Sequence, residues 1–194
     1  MVASKVAQRR EARIASIVEA AWSLAHEQGI QVFSLRDLAT EVGVQQPSLY
    51  TYFDSKNALY DAMFADGNQQ LLETLDSVDL PDDAEAALKV CLRVVADFAV
   101  EDPERYSLLF SRVIPGFEPS AESYAVAQEV LGHVVVAADA AGVTNQGDID
   151  CLVAVTAGLI DSQMSNEPGG DRWLQHLDRM IDLLVDDATN RSVR

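Results

Sequence analysis

Cationic side chains are scarce: 14 lysines and arginines stand against 31 aspartates and glutamates over 194 residues, a formal net charge of -17. In bulk that argues against nucleic acid and for a solvated acidic protein with protein or small-molecule partners. Cysteine is scarcer still. Cys91 and Cys151 sit inside apolar helical patterns and belong to no CxxC or Cys/His cluster, so both are expected as reduced core residues rather than a disulfide. His26, His133 and His176 lie far apart, with no HExxH or paired His/Cys spacing to hold a metal. No G-x-S-x-G elbow, Walker loop or G-x-G-x-x-G occurs, and Asp148 with Asp150 falls at a helix start, where the dipole favours carboxylates anyway. No enzymatic activity, cofactor or metal is therefore expected. Apolar runs never approach the roughly 18 residues needed to span a bilayer. The opening residues, with Lys5, Arg9 and Arg10, lack the apolar core of a signal peptide. A cytoplasmic protein without a membrane partner is the expectation.

What is present is 48% hydrophobic content, enough to close a real core in a chain of this length. The charge is also unevenly spread. Residues 1–60 carry six basic side chains (Lys5, Arg9, Arg10, Arg13, Arg36, Lys56) and six acidic ones, whereas residues 61–194 carry eight against twenty-five. Screening acts over about 8 to 10 Å at cellular ionic strength, so an acidic body a few nanometres away barely opposes a neutral tip meeting phosphate. DNA binding is therefore permitted, but only through the N-terminal end.

Apolar residues recur at helical spacing nearly everywhere, and no β-branched run has turn signals on both sides. The fold class is all-α, with about nine helices. Helix 1 is expected over about 7–28, carrying Ile14, Ile17, Val18, Ala21, Trp22 and Ala25 on one face and ending at Gly29. Ser34 caps helix 2, with Asp37 completing a shortened capping box and Leu35, Leu38, Ala39 and Val42 forming its buried stripe. A turn at Gly43 leads to a short helix over about 46–52, and Asp54 or Ser55 caps a fourth running to about residue 76. Pro81, Pro103 and Pro119 are read at the first turns of three further helices. The last two helices fall over about 147–165 and 171–188, parted by the loop NEPGG.

Leu38, Ala39, Val42, Gly43, Val44 and Leu49 have the spacing that lets two short helices cross closely, a helix-turn-helix over about 34–53. Gln45, Gln46, Ser48, Thr51 and Tyr52 remain on the outward side, and that face is polar and uncharged. Such a helix fits a major groove, where glutamine can bond the N6 and N7 edge of adenine and serine or threonine can meet varied partners. Lys56 and the helix N-terminus offer positive charge and donors to phosphate. Arg9 and Arg13 share a helical face that either grips flanking phosphate or is simply solvated.

These residues carry a resemblance. Leu38, Ala39, Gly43, Val44, Leu49, Tyr50, Tyr52, Phe53, Lys56 and Leu59 match the pattern L-A-x-x-x-G-V-x-x-x-x-L-Y-x-[HY]-F-x-x-K-x-x-L of the TetR, or tetracycline-repressor-like, family of transcriptional regulators. The chain resembles that family over about residues 10–60. The resemblance implies phosphate contact by Ser34, Tyr50, Tyr52 and Lys56, and base reading by Gln45, Gln46, Ser48 and neighbours; Arg36, Pro47 and Thr51 complete the expected DNA-binding set. The family commonly has serine or threonine at position 45 and a small residue near 47, where this chain has Gln45 and Pro47. Proline there suits a first turn but removes one backbone donor.

The expected organisation is a helix-turn-helix domain over 1–60 and a helical regulatory and dimerisation domain over 61–194. Dimerisation has support from apolar faces: Ile149, Leu152, Val153, Thr156 and Ile160 in one helix, Trp173, Leu177, Met180, Ile181 and Leu184 in the next. Two such hairpins make either a four-helix bundle between copies or ordinary intrachain core. A two-fold dimer would present two recognition helices about one DNA turn, 34 to 36 Å, apart, so a palindromic operator is expected. Phe98, Tyr106, Phe110, Phe117, Tyr124 and His133 either line a pocket for a small, mostly apolar effector or form plain core. The function these features suggest is a homodimeric repressor on double-stranded operator DNA, released by a small molecule. The alternative is a helical small-molecule-binding or scaffold protein that has lost operator binding.

Overall fold

The computed structural model describes residues 5–192, and among them the chain is all-α. Nine α-helices follow one another: α1 (Lys5–Gln28), α2 (Leu35–Glu41), α3 (Gln46–Leu49), α4 (Lys56–Ser77), α5 (Ala84–Glu101), α6 (Pro103–Phe110), α7 (Ala121–Ala140), α8 (Gln146–Asn166) and α9 (Leu177–Ser192), with a 3-10 turn at Leu174–His176 before the last. Beyond the helix-turn-helix, three boundaries differ from expectation for local reasons. Pro81 and Pro119 stand outside their helices, because Asp83 caps α5 by accepting from the Ala86 N–H at 2.8 Å and Ser120 caps α7 by accepting from the Ser123 N–H at 3.1 Å. Only Pro103 opens a helix as expected, since its missing donor has no intrahelical partner there. The final helix starts later, with residues 174–176 wound as a 3-10 turn.

Packing divides the described residues into two units: those up to Asn68 together with Glu104–Ala125, and Gln69–Pro103 together with Val126 onward. This division differs from a boundary at residue 60 because the segment beginning at Glu104 packs with the N-terminal helices. In the first unit Glu104 Oε2 accepts from the Ile30 N–H at 2.7 Å, and Trp22 Nε1 donates to Asp66 Oδ2 at 2.9 Å. Ile17, Ala21, Ala25, Phe33, Leu38, Leu59 and Met63 are completely buried there. Gly67 lets α4 approach α6: a Cβ at that position would stand 3.1 and 3.2 Å from the methyls of Leu109, tighter than ordinary packing.

The second unit is built on α5, α8 and α9. Leu88, Leu152, Leu177 and Ile181 form its fully buried centre. Gln163, buried, clamps the end of α8 to the following loop, donating to the Glu167 carbonyl and accepting from the Trp173 N–H at 2.8 Å. Lys89 on α5 is held by Asp182 and by Glu85, the latter at 2.7 Å, and the two carboxylates push its pKa well above the ordinary lysine range. Of the two free cysteines, Cys91 is core, and burial pushes its thiol pKa up. Cys151 is exposed, contrary to expectation, because α8 turns Ile149 and Leu152 inward and leaves position 151 on its outer side.

Candidate nucleic-acid interface

The first unit builds its exposed short helices from a cap, a turn and one buried plug. Ser34 caps α2 with both halves of the expected capping box: its Oγ accepts from the Asp37 N–H at 3.2 Å while Asp37 Oδ2 accepts from the Ser34 N–H at 3.0 Å. The Ser34 hydroxyl also donates to that carboxylate at 2.5 Å, and these bonds hold the Asp37 pKa below its usual range. This contribution is present above the ordinary aspartate range and lost as pH falls through the lowered value.

After α2 the chain reverses at Gly43, whose φ is 69°. The Val44 N–H then returns to the Ala39 carbonyl at 2.9 Å. A Cβ at Gly43 would meet nothing within 4 Å, so only the backbone demands glycine. Gly43→Ala is expected to destabilise the protein by about 1 to 2 kcal/mol, the cost of the left-handed conformation for an L-residue, and a thermal melt against wild type measures it.

Leu49, 1% exposed, is the plug that holds α3 in place. The helix is shorter than expected, ending at Leu49 rather than Tyr52. The Tyr52 and Phe53 N–H groups both bond the Leu49 carbonyl, at 2.9 and 3.0 Å, which tightens residues 50–52 into a turn. Gln45, Pro47, Ser48, Tyr50 and Thr51 are exposed, and Gln46 and Tyr52 are half-buried. Tyr50 is therefore more open than Tyr52. Gln45 is the N-cap but makes no side-chain cap bond, so its amide is not spent on the helix end. The Thr51 hydroxyl donates to the Ser48 carbonyl at 2.7 Å, which leaves its methyl and lone pairs to face outward partners. Pro47 has no N–H, and the Ser48 N–H bonds the Gln45 carbonyl at 2.8 Å. Two of the first backbone donors of α3 are thus unavailable to an anion.

Basic residues surround this face unevenly. Arg36 is exposed on α2. Arg10 places its guanidinium 6.0 Å from the Tyr52 ring centroid, a neighbour that helical spacing within α1 does not reveal. Arg13 is turned inward, donating to the Val42 carbonyl at 3.1 Å, so it fixes the turn and leaves Arg9 as the exposed member of the expected pair. Lys56, next to the Ser55 cap of α4, lies 4.7 and 5.1 Å over the rings of Phe33 and Tyr60 and donates to the Gln31 carbonyl at 3.3 Å. Burial lowers its pKa, and the nearby Asp37 charge opposes that shift.

Beneath Lys56 the Tyr60 hydroxyl donates to the Ile30 carbonyl at 2.7 Å. Burial pushes that phenol up to about 12, so it stays a neutral donor. Asp61 accepts from the Ser120 N–H at 2.7 Å and from the Ser120 and Ser123 hydroxyls at 2.9 Å each, tying α4 to the start of α7. No local pattern marks Tyr60, Asp61 or Glu104 for these roles, because each partner is distant in sequence.

The residues expected to line a pocket are distributed over both units. Phe110, Phe117 and Tyr124 share a cavity of about 400 Å³ in the first unit with Phe64 and Arg112. Tyr106 is buried with its ring 5.4 Å from that of Phe110, outside the cavity lining. Phe98 is buried in the second unit, and His133 lines a separate cleft there. Of the residues expected at a dimer interface, Ile149, Leu152, Thr156, Ile160, Leu177 and Ile181 are buried in the core of the second unit. Val153 is 41% exposed, and Trp173, Met180 and Leu184 are half-buried. Among the described residues no group of three or more His, Cys, Asp and Glu side chains is arranged to hold a metal, and no helix is long and apolar enough to cross a membrane.

The family model for "Bacterial regulatory proteins, tetR family" matches residues 17–63, from the core of α1 through the plugged turn into α4. Residues 17–63 are a TetR-family domain. The chain is 30% identical over 152 residues to the HTH-type transcriptional regulator Rv1816 of Mycobacterium tuberculosis, covering 75% of this chain and 64% of that regulator. The chain thus spans under two thirds of that relative's length. It is also 44% identical over 48 residues to the class A tetracycline repressor from transposon 1721 of Escherichia coli, covering 25% of this chain and 22% of the repressor. Among solved structures it is similar to BioQ with its natural double-stranded DNA operator, at a TM-score of 0.63 and 21% identity over 91% of this chain and 98% of that one. At that identity the likeness is one of fold, and it extends along nearly the whole chain.

Proposed function

We propose that this chain is a cytoplasmic TetR-family transcriptional repressor that binds a palindromic double-stranded DNA operator as a homodimer and is released by a small, mostly apolar effector. The observation that carries the reading is the outward face of residues 45–52: exposed except at half-buried Gln46 and Tyr52, mostly polar, uncharged and held by a single buried leucine. A surface with nothing to bury and no ion pair to make fits hydrogen bonding to base edges. Gln45, Gln46, Ser48 and Thr51 are assigned to bases, with Pro47 packing between them. Arg36, Tyr50, Tyr52 and Lys56 are assigned to phosphates, joined by Arg10 beside Tyr52 and by Ser34 once its hydroxyl leaves the Asp37 carboxylate. The dimer would form through the residues of α8 and α9 left open by the core, among them Val153, 41% exposed, and Leu183, 53% exposed. Any ligand that favours a dimer with mis-spaced recognition helices lowers operator affinity by its preference between the two states.

Gel retardation on the DNA flanking the chain's own gene, with a salt titration, tests the reading. Tyr52→Ala and Lys56→Ala are expected to weaken all sequences alike, and Lys56→Ala to flatten the salt dependence by about one unit of slope. No sequence preference at any salt leaves a helical small-molecule-binding or scaffold protein instead.

A further inference from the structure

The second unit carries a cleft of about 720 Å³, bounded by the last turns of α4, the first turns of α5 and the middle of α7. Its floor includes buried Leu72 and Cys91, and Leu80 and Val136 form apolar lips that are 48% and 71% exposed. A concave apolar surface of this volume is of the size that takes a small organic molecule. The ionisable side chains at its edge, besides the buried Cys91, are Asp76, Asp82, Glu129 and His133, with no lysine or arginine among the described lining. His133 Nε2 stands 3.3 Å from Asp76 Oδ1, so even a protonated imidazole offsets only one of three carboxylates. Lys89, on the same helix as Cys91, is engaged by Asp182 and Glu85. The second unit's own sequence deepens the negative field, with six basic residues against twenty acidic ones over 69–103 and 126–194.

We infer that this cleft binds an apolar organic cation, with the hydrophobic body on Leu72, Ala87 and Cys91 and the charge facing Asp76, Asp82 and Glu129. A neutral apolar molecule would gain the floor but nothing from the rim, and an anion would be repelled by it. The inference rests on the effector reading above and assigns that effector its charge. The first unit's cavity differs in having Arg112 as well as Glu118 in its lining, and so has no such bias of sign.

Tetraphenylphosphonium and tetraphenylborate share a shape and differ in sign, which makes them the probes. In equilibrium dialysis against the full chain at low ionic strength, the phosphonium is expected to bind about tenfold or more tightly than the borate. The combined variant Asp76→Asn, Asp82→Asn, Glu129→Gln should erase that preference, and Ala87→Trp should block binding of both ions. Circular dichroism melts establish that each variant is folded. If the triple variant fails to fold, Glu129→Gln alone, at an exposed position, should reduce the preference. Bound phosphonium should also slow alkylation of Cys91 in a Cys151→Ser background. Equal or stronger borate binding, no phosphonium binding, or a preference that survives neutralisation of the rim would overturn the assignment. Gel retardation on the same preparations separates the two ideas. Operator binding without phosphonium binding removes the cation site alone, whereas phosphonium binding without operator binding removes the regulator alone.

Discussion

Replacing Val153 and Leu183 by arginine together (Val153→Arg, Leu183→Arg) is expected to yield a folded monomer that has lost about a hundredfold or more of its operator affinity. The expectation follows from how α8 and α9 spend their apolar residues. Ile149, Leu152, Thr156 and Ile160 on α8, with Leu177 and Ile181 on α9, are buried within the chain. What remains for a second copy is what these residues leave open: Val153, at the edge of the buried stripe of α8, and Leu183, on the far side of α9. Two arginines there cost the isolated fold little, because exposed positions tolerate charge. Facing a symmetry mate they meet their own copies, and like charges brought together in a desolvated contact oppose association by several kcal/mol. Loss of the second half-site then removes the avidity of paired binding, on the order of a hundredfold or more. Sedimentation velocity reads the monomer and gel retardation the affinity; a double variant that remains dimeric places the interface elsewhere.

The second large effect is expected at Leu49. Leu49→Ala removes the only buried side chain of a four-residue helix, and large-to-small changes at such sites cost about 2 to 5 kcal/mol. That is a large share of the about 5 to 15 kcal/mol by which domains are stable at all. The loss should be local. Amide exchange is expected to accelerate over residues 45–53, where the Ser48, Tyr52 and Phe53 N–H bonds depend on the plug, while amides of α8 and α9 keep their protection. Operator affinity should fall for every sequence, because a displaced α3 offers no ordered face. Uniform acceleration across both units would instead make Leu49 a global core residue.

These two positions also mark what sequence can convey. The cap at Ser34, the turn at Gly43 and the plug at Leu49 are legible because each depends on neighbours within a few residues, and the structure forms all three. The length of α3 is less legible: Tyr50 to Tyr52 include no glycine or proline to stop a helix, yet the doubled use of the Leu49 carbonyl closes them into a turn. On α8, apolar residues lie on more than one side, so periodicity finds the helix without telling core from outer face. Tertiary contacts decide it, and they turn position 151 outward and 152 inward. The grouping of Glu104–Ala125 with the N-terminal helices is least visible. It shows in bonds such as Ile30 to Glu104 and Asp61 to Ser120, each joining residues far apart in the chain. The aromatics of the middle helices follow the same rule: Phe110, Phe117 and Tyr124 converge, while Phe98 and His133 belong to the other unit.

Selection from a pool of random-sequence duplexes, run in parallel with wild type and Gln46→Ala, tests most directly whether residues 45–52 read base edges. Wild type is predicted to enrich a two-fold symmetric consensus with half-sites about 34 to 36 Å apart. Gln46→Ala should enrich the same consensus with one position per half-site relaxed, by about 1 to 3 kcal/mol of discrimination. No enrichment, or a consensus identical in every position for the two proteins, would contradict the assignment of that face.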